Sequence, residues 1–308
     1  MGPGKHIGTG STSQANDCHA LKSLTQLIAC SPAELNRQDI ARVNLLCATD
    51  LPGSEELNIP QCLVTLDRWT EAVRRYTQDA LGEFNAYPDR YHGHRGFASF
   101  TAMVTLLKHP KGLNIGYQAS AIGNTLFSDS RDDLLHGLLT RRLGTCTSLP
   151  VLYVAIGRRL GYPMHLAVAK GHVLCQWVEV DGSHVNLEGS NAGGGELYPD
   201  EHYHHWPRPL TKEDLASGRC LRPLTRAEEL GLFLETRGHV LTDNGRFEEA
   251  QKAYRDAHRV SGGWSPRDVH LSSLDYVRQQ RAHRRLANST DSSRMQSLVF
   301  PSITVIPG

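Results

Sequence analysis

The chain has 308 residues, enough for one large core or for one core and a small additional unit. It carries 33 Lys and Arg against 32 Asp and Glu, so no strong electrostatic field is available to attract nucleic acid or an anionic membrane, and we expect neither as a partner. Its seven cysteines form an odd set without a CxxC pair, which argues against a disulfide framework or a zinc ribbon and favours a reducing cytoplasm.

The first 17 residues are polar and lack the apolar stretch of a signal peptide. We expect a disordered N-terminus over 1–17 and no export by that route. The longest apolar run, Leu149–Ile156, is far shorter than the roughly 20 residues of a membrane-spanning helix. The composition therefore predicts a soluble protein.

The first half of the chain is predicted to be mostly helical, because apolar residues recur there at helical spacing. The predicted helices are Cys18–Ile28, Pro32–Cys47, Ile59–Leu81, Phe97–Leu107 and, after a connection over Gly112–Asp129, Asp132–Leu139. The breaker Leu51-Pro52-Gly53-Ser54 separates the second helix from the third.

A helix followed by three strands is predicted in the middle of the chain. The helix runs from Thr147 to Leu160, and Gly161 and Pro163 end it. The strands are short, rich in Val, Leu and Trp, and separated by glycine-containing turns, which favours an antiparallel sheet. They are Met164–Ala169, His172–Val180 and His184–Glu188. A glycine-rich loop over Asn191–Gly195 and an aromatic, histidine-bearing segment over Tyr198–Pro209 are predicted to be irregular.

Two further helices, Arg226–Thr242 and Phe247–Val260, are predicted to form a hairpin around a tight turn. With Gly238, Ala250 and Tyr254 at its packing positions, the pair resembles a tetratricopeptide unit. Only one repeat is visible, so we expect the hairpin to pack on the preceding domain rather than to form a binding groove alone. A basic and polar helix, Val269–Leu286, and an aperiodic tail follow in the sequence.

The chemistry is predicted to centre on Cys146. A thiol attacks only as its thiolate, and the free N–H groups and partial positive charge at a helix N-terminus favour that form. Cys146 is predicted to lie in the first turn of the helix, where the same N–H groups can bind the oxyanion of an acyl-transfer intermediate. His172, which opens a strand just after Gly171, is the candidate base.

Three residues are candidates for the group that orients His172: Asn186, Glu188 and Asn191. If Asp181-Gly182 forms a two-residue turn, Asn191 lies opposite His172 and Glu188 points to the other face of the sheet. An odd-length loop, such as 181–183, places even-numbered residues of both strands on one face, so that Glu188 lies on the side of His172. The residue pattern alone leaves the loop length open.

Four motifs in this order resemble the core of the bacterial transglutaminase-like superfamily. They are Gly144-Thr145-Cys146-Thr147-Ser148-Leu149-Pro150-Val151-Leu152-Tyr153, Arg158-Arg159-Leu160-Gly161-Tyr162-Pro163, Lys170-Gly171-His172-Val173 and Val185-Asn186-Leu187-Glu188-Gly189. That family has a Cys at a helix start, a His opening a strand and an acidic residue, usually Asp, on the next strand, in a fold related to papain-like peptidases. The resemblance implies that Cys146, His172 and Glu188 hold these catalytic roles, with Glu in place of the commoner Asp and Asn191 in reserve.

Metal and nucleotide sites are not expected. Histidines cluster at His202, His204 and His205, and again at His92 and His94, but no HExxH motif or paired-cysteine spacing accompanies them. The clusters are as easily explained by a surface segment that lines a cleft, and the sequence does not place His136 or Trp206 relative to the site. No Walker or Rossmann glycine pattern is present, so we expect no cofactor.

The sequence thus predicts an α+β fold with a papain/transglutaminase-like core, in which a helical N-terminal half and a cysteine helix packed on an antiparallel sheet are followed by a small α-helical hairpin. The predicted units are a disordered N-terminus (1–17), a catalytic domain (18–223), a tetratricopeptide-like helical region (224–287) and a tail (288–308). The predicted function is cysteine-dependent acyl transfer at peptide or carboxamide bonds of a protein or peptide substrate, by hydrolysis or transamidation. The alternative is a catalytically inactive scaffold that binds a protein partner through its hairpin.

Overall fold

The computed structural model describes residues 21–118, 127–189 and 195–264. The predicted disorder over 1–17, the predicted helix Val269–Leu286 and the tail over 288–308 lie outside these residues. In the described chain, a set of helices precedes a four-stranded antiparallel sheet, and a helical hairpin follows it. The predicted α+β class is confirmed.

The helices before the cysteine segment are more numerous than predicted, and α4 and α5 are longer than predicted. They are α1 (Leu24–Ile28), α2 (Pro32–Leu35), α3 (Ile40–Cys47), α4 (Ile59–Ala86), α5 (Arg95–Lys108), α6 (Ser130–Asp133) and α7 (Leu135–Arg141). The single helix predicted over Pro32–Cys47 is wrong, because the Asp39 carboxylate accepts a hydrogen bond from the Arg42 N–H at 2.9 Å and starts a new helix at Ile40. The helix predicted over Asp132–Leu139 is likewise divided, since Leu134 is extended.

The 28-residue helix α4 supports the core on its apolar side. Leu66 and Val73 are fully buried, and α4 packs against α5, α7 and the cysteine helix. Hydrophobic residues at helical spacing thus bury one stripe, while charged residues cover the other side. No helix among the described residues combines the length and the apolar character needed to cross a bilayer.

The sheet has the order β3-β4-β5-β6. Its strands are β3 (Met164–Ala169), β4 (His172–Val178), β5 (His184–Glu188) and β6 (Glu196–Tyr198). The first three were predicted, although β4 ends two residues earlier. The short strand β6 was not predicted; it pairs with β5 through Leu187 and Leu197 inside a segment whose sequence shows no strand periodicity.

The cysteine segment joins a small parallel pair of strands to the central helix. Strands β1 (Gly116–Tyr117) and β2 (Leu143–Gly144) pair in parallel, and the chain then enters α8 (Leu149–Arg159). Helix α8 packs on β3 and β4, and its residues from Leu149 to Gly157 are buried. This places the start of α8 at one end of the sheet.

The segment after β6 wraps around the sheet. It contains α9 (Asp200–Tyr203) and α10 (Lys212–Ala216), so the prediction of irregular structure over Tyr198–Pro209 is wrong at Asp200–Tyr203. Further along, the N–H groups of Leu221 and Leu224 donate to carbonyl groups of β3 at 2.9 and 2.8 Å. These bonds pair carbonyl groups on the outer edge of β3, which would otherwise be left without partners as in an exposed edge strand.

The hairpin consists of α11 (Arg226–Asp243) and α12 (Phe247–Val260), and it packs directly on the first half of the chain. Phe233 belongs to the same hydrophobic cluster as the core of α3, α4 and α8, and the Arg237 guanidinium donates to the Cys47 carbonyl at 3.1 Å. Gly238 is needed because a Cβ there would lie 2.5 Å from the Tyr254 ring. The resemblance of the hairpin to a tetratricopeptide unit stays a prediction.

Candidate active site

Cys146 lies in a turn just ahead of α8 rather than in its first helical turn. The helix begins at Leu149 with Ser148 as its N-cap residue, and the Leu149 N–H donates to the Thr145 carbonyl at 3.0 Å. The helical hydrogen-bond ladder does not include Cys146, because residue 150 is Pro and offers no N–H to the Cys146 carbonyl. The thiol is partly exposed at the N-terminal end of the helix.

His172 is the first residue of β4 and is only 7% exposed. The two-residue turn Lys170-Gly171 joins β3 to β4, and Ala169 is the register partner of His172. Gly171 has φ of +81°, a conformation that favours glycine. The turn therefore fixes the imidazole at the strand end nearest to the cysteine turn.

The carboxylate of Glu188 contacts His172. Five residues, 179–183, separate β4 from β5, and the strands pair even-numbered with even-numbered residues, as in Gln176 with Asn186. The odd-length alternative therefore holds, and His172 and Glu188 share one face of the sheet. Although the two residues are offset along the strands, the His172 Nε2 lies 2.6 Å from the Glu188 Oε2.

The two other candidates do not hold this position in the described chain. Asn186 shares the face, but its side chain accepts from Gln176 at 2.8 Å and donates to the Asp200 carboxylate at 2.7 Å and to the Tyr198 carbonyl. Its contacts fasten α9 to the sheet. Asn191 lies outside the described residues.

The surroundings of His172 favour its charged form. Burial lowers the pKa of His172, but hydrogen bonds to Cys146 and Glu188 and the negative charges of these two residues outweigh it and raise the pKa to about 9. Lys108, at the end of α5, faces the Glu188 and Glu196 carboxylates; burial lowers the pKa of Lys108, and the two charges oppose that shift. The carboxylate and the imidazole thus form a hydrogen-bonded pair, and Cys146 is the further group whose interaction raises the pKa of His172.

Tyr117 is a neighbour of Cys146 that the sequence did not reveal. The pairing of β1 with β2 puts Tyr117 opposite Gly144, two residues before Cys146, and the side chain of Tyr117 interacts electrostatically with Cys146. Burial, together with negative charge at Cys146, raises the pKa of Tyr117 to about 12, so the hydroxyl keeps its proton at neutral pH. No sequence signal could have found it, since a two-residue strand has no periodicity.

Aromatic rings from the wrapping segment cover His172. Trp206 meets the imidazole edge-on with ring centroids 4.8 Å apart, and Tyr203 stacks on it at 6.4 Å. Tyr203 is fully buried, whereas Trp206 is 40% exposed. Trp206 thus lies beside His172, and its exposed surface forms one wall beside the imidazole.

The remaining histidines have other contacts. His136 lies 3.2 Å from the Ser130 hydroxyl and 3.3 Å from the Gly53 carbonyl, and His94 caps α5 by accepting from the Phe97 N–H. His202 stacks on the Tyr198 ring at the end of β6, with centroids 4.1 Å apart. Within the described residues, no three side chains of His, Cys, Asp or Glu are placed so that they could hold a metal ion.

A cysteine at the start of a helix that packs on an antiparallel sheet, next to a histidine held by a carboxylate, is the arrangement of papain-like cysteine proteins. The profile of the transglutaminase-like superfamily matches residues 63–217, half of the chain. The chain belongs to the transglutaminase-like superfamily, which commonly has cysteine peptidase or acyltransferase activity. The search of curated proteins and the search of solved structures each gave no match.

Glu188→Gln is expected to lower the pKa of His172 from about 9 by at least one unit, because it removes the charge and the charge-assisted hydrogen bond. A histidine pKa raised on folding stabilises the protein fully below about pH 6.5, and this contribution is lost as the pH rises through 9. The difference in melting temperature between the wild type and the variant should therefore decrease between about pH 6.5 and pH 9. NMR titration of the His172 ring checks the shift.

Glu196→Gln is the matched control for this measurement, because Glu196 is the register partner of Glu188 on β6. It should leave the His172 titration within a few tenths of a unit of wild type. An unchanged His172 pKa in Glu188→Gln would contradict the assignment of Glu188 as the orienting group.

Proposed function

We propose that the protein is a cysteine-dependent acyl-transfer enzyme in which Cys146 is the nucleophile, His172 the general base and acid, and Glu188 the group that orients the imidazole. The observation that carries this proposal is the 2.6 Å contact between His172 Nε2 and Glu188, which leaves Nδ1 as the ring nitrogen for the Cys146 thiol. A nucleophile, a base and a group that orients the base are the parts that covalent catalysis requires.

In the proposed first half-reaction, His172 holds the proton of the Cys146 thiol as an imidazolium, in keeping with its pKa of about 9, and the thiolate attacks the carbonyl carbon of a peptide or carboxamide. The tetrahedral oxyanion forms beside the Tyr117 hydroxyl, which is a donor of the kind that stabilises such a charge. The imidazolium then gives its proton to the leaving amine or ammonia. The C–N bond breaks, and a thioester on Cys146 remains.

In the second half-reaction, His172 takes a proton from water or from a primary amine, which attacks the thioester. Collapse of the intermediate releases the acid or the new amide, and the proton returns to the Cys146 thiolate. Water makes the protein a peptidase or amidase, and an amine makes it a transglutaminase. We propose a protein or peptide as substrate and a reducing cytoplasm as its setting; the described cysteines are free thiols.

The test is the rate of iodoacetamide alkylation at each cysteine of the native protein between pH 5.5 and 8.5, measured by peptide mass spectrometry. Cys146 is expected to react at least tenfold faster than Cys30 and Cys220 below pH 7. These two are suitable references because they are partly exposed, as Cys146 is, while burial raises the pKa of each. Equal rates at the three residues would overturn the proposal.

The alternative, an inactive scaffold, takes support from the hairpin. Helix α12 buries Ala250, Ala253, Tyr254 and Ala257 on one side and presents charged residues on the other, so a polar surface is available to a protein partner. Helix α11, in contrast, is covered on nearly all sides. A protein with an unreactive Cys146 that still captures a partner through α12 would be this scaffold.

A further inference from the structure

The turn that carries Cys146 rests on Asp133, the last residue of α6. Asp133 is 9% exposed, and its Oδ1 accepts a hydrogen bond from the Thr147 hydroxyl at 2.8 Å. The Thr145 hydroxyl lies 3.4 Å from the same oxygen and 2.7 Å from the Thr147 hydroxyl. The two residues on either side of the nucleophile are therefore tied to one carboxylate oxygen.

Backbone groups complete the anchor. The Ser148 hydroxyl donates to the carbonyl of Asp132 at 3.3 Å, the Thr145 hydroxyl lies 3.0 Å from the same carbonyl oxygen, and the Thr145 N–H donates to the Ser148 hydroxyl at 3.0 Å. The direction of the Cys146 side chain is set by the backbone of this turn. A shift of the turn by 1 Å is enough to cost about 100-fold in a reaction that depends on alignment.

We propose that Asp133 is a positioning residue, whose carboxylate fixes the Thr145 and Thr147 hydroxyls and thereby aims the Cys146 thiol at His172. The consequence for reactivity rests on the proposed function of Cys146. The anchoring of the turn does not, and it is measurable by itself.

The electrostatics of Asp133 indicate a role other than stability. Burial raises the pKa of Asp133 to about 6, the Thr147 hydrogen bond opposes this, and the charges of Asp132 and Asp129 add to it. A carboxyl pKa raised on folding stabilises the protein below about pH 4, and this contribution is lost as the pH rises through 6. At neutral pH the fold therefore carries an ionised Asp133 at a cost to stability, which is typical of groups retained for function.

The charges around this group are otherwise paired with each other. Arg131 binds Asp129 at 2.7 Å and Arg141 binds Asp132 at 2.7 Å, both on the surface side of α6. The turn contributes only the two threonine hydroxyls toward Asp133 among the described contacts. Among these contacts, the Asp133 carboxylate therefore accepts hydrogen bonds from the threonine hydroxyls rather than pairing with an arginine.

The experiment combines three measurements on the full chain at pH 7.5: amide hydrogen exchange of the 143–149 peptide, Cys146 alkylation and the melting temperature. Asp133→Asn and Thr147→Val are expected to speed exchange and slow alkylation by about tenfold each, the effect of losing a hydrogen bond to a charged group. Asp133→Asn should melt at the same temperature as wild type or a few degrees higher. Thr147→Ser keeps the hydroxyl and should restore both rates.

Asp132→Asn is the matched control, because it changes the neighbouring carboxylate and keeps the backbone carbonyl that anchors the turn. It should stay within twofold of wild type. Exchange rates of Asp133→Asn and Thr147→Val within twofold of wild type would overturn the proposal. Faster exchange in a protein whose wild-type Cys146 alkylates no faster than Cys30 would sustain the positioning role and remove only the proposed function.

Discussion

His172→Ala is expected to slow alkylation of Cys146 about 100-fold at pH 7, which is the lower end of what a positioned general base contributes. In the proposed mechanism the imidazole takes the thiol proton, and the Glu188 carboxylate, 2.6 Å from His172 Nε2, orients the ring. Without the ring, the rate should rise steadily with pH, as for an unassisted thiol. Quenched-flow alkylation followed by peptide mass spectrometry measures both rates.

His184→Ala is the control, because His184 lies on β5 and contacts Asp200 at 3.3 Å rather than the cysteine turn. Its alkylation profile should match that of wild type. A His172→Ala variant that keeps fast alkylation of Cys146 below pH 7 would exclude His172 as the base and leave Tyr117 as the nearest titratable neighbour.

Glu229→Ala is expected to destabilise the protein by about 3–5 kcal/mol, the cost of leaving one partner of a buried ion pair uncompensated. The Glu229 side chain is 2% exposed at the start of α11, and the Arg158 guanidinium of α8 binds it through two nitrogens at 3.0 and 2.6 Å. Arg226 adds a third contact at 3.1 Å. Urea unfolding, followed by circular dichroism, measures the loss.

Two further variants test whether the loss of stability comes from the buried ion pair rather than from the removal of any charged residue on the hairpin. Glu249→Ala removes an exposed ion pair with Arg246 on the same hairpin and should cost under about 1 kcal/mol. Replacing both partners, as in Arg158→Met with Glu229→Leu, should recover most of the stability, since no charge is left buried. A loss under about 1 kcal/mol for Glu229→Ala would mean that Arg158 finds another acceptor.

The elements that the sequence predicted well are those bounded by turn-forming residues or marked by a strict hydrophobic period. Strands β3 and β5 match their predicted bounds because Pro163, Lys170-Gly171 and Asp181-Gly182 mark the turns between them. Helix α12 was equally clear, since its apolar residues recur on one side only. Local composition is sufficient where a turn residue or a strict period defines the end of an element.

The site assignments that the sequence could not decide depend on the three-dimensional arrangement of the chain, which no local sequence pattern encodes. The choice between Glu188 and Asn191 needed the number of residues in the loop 179–183, and the position of Asn186 followed only from its contacts with Gln176 and Asp200. Tyr117 reaches Cys146 through a pair of two-residue strands. Asp133 and its neighbour Asp132 are the same residue type, and only their placement shows which of them faces the turn.

The segment after α10 bears on where the protein can be cut. The family match ends at residue 217, but Leu221 and Leu224 close the edge of β3, and Trp264 belongs to the central hydrophobic cluster. A chain truncated at residue 217 would expose that edge and leave Arg158 without Glu229. The matched region 63–217 thus ends before the contacts that close β3 and pair Arg158, and we expect shortened versions for expression to be stable only if they extend to residue 264.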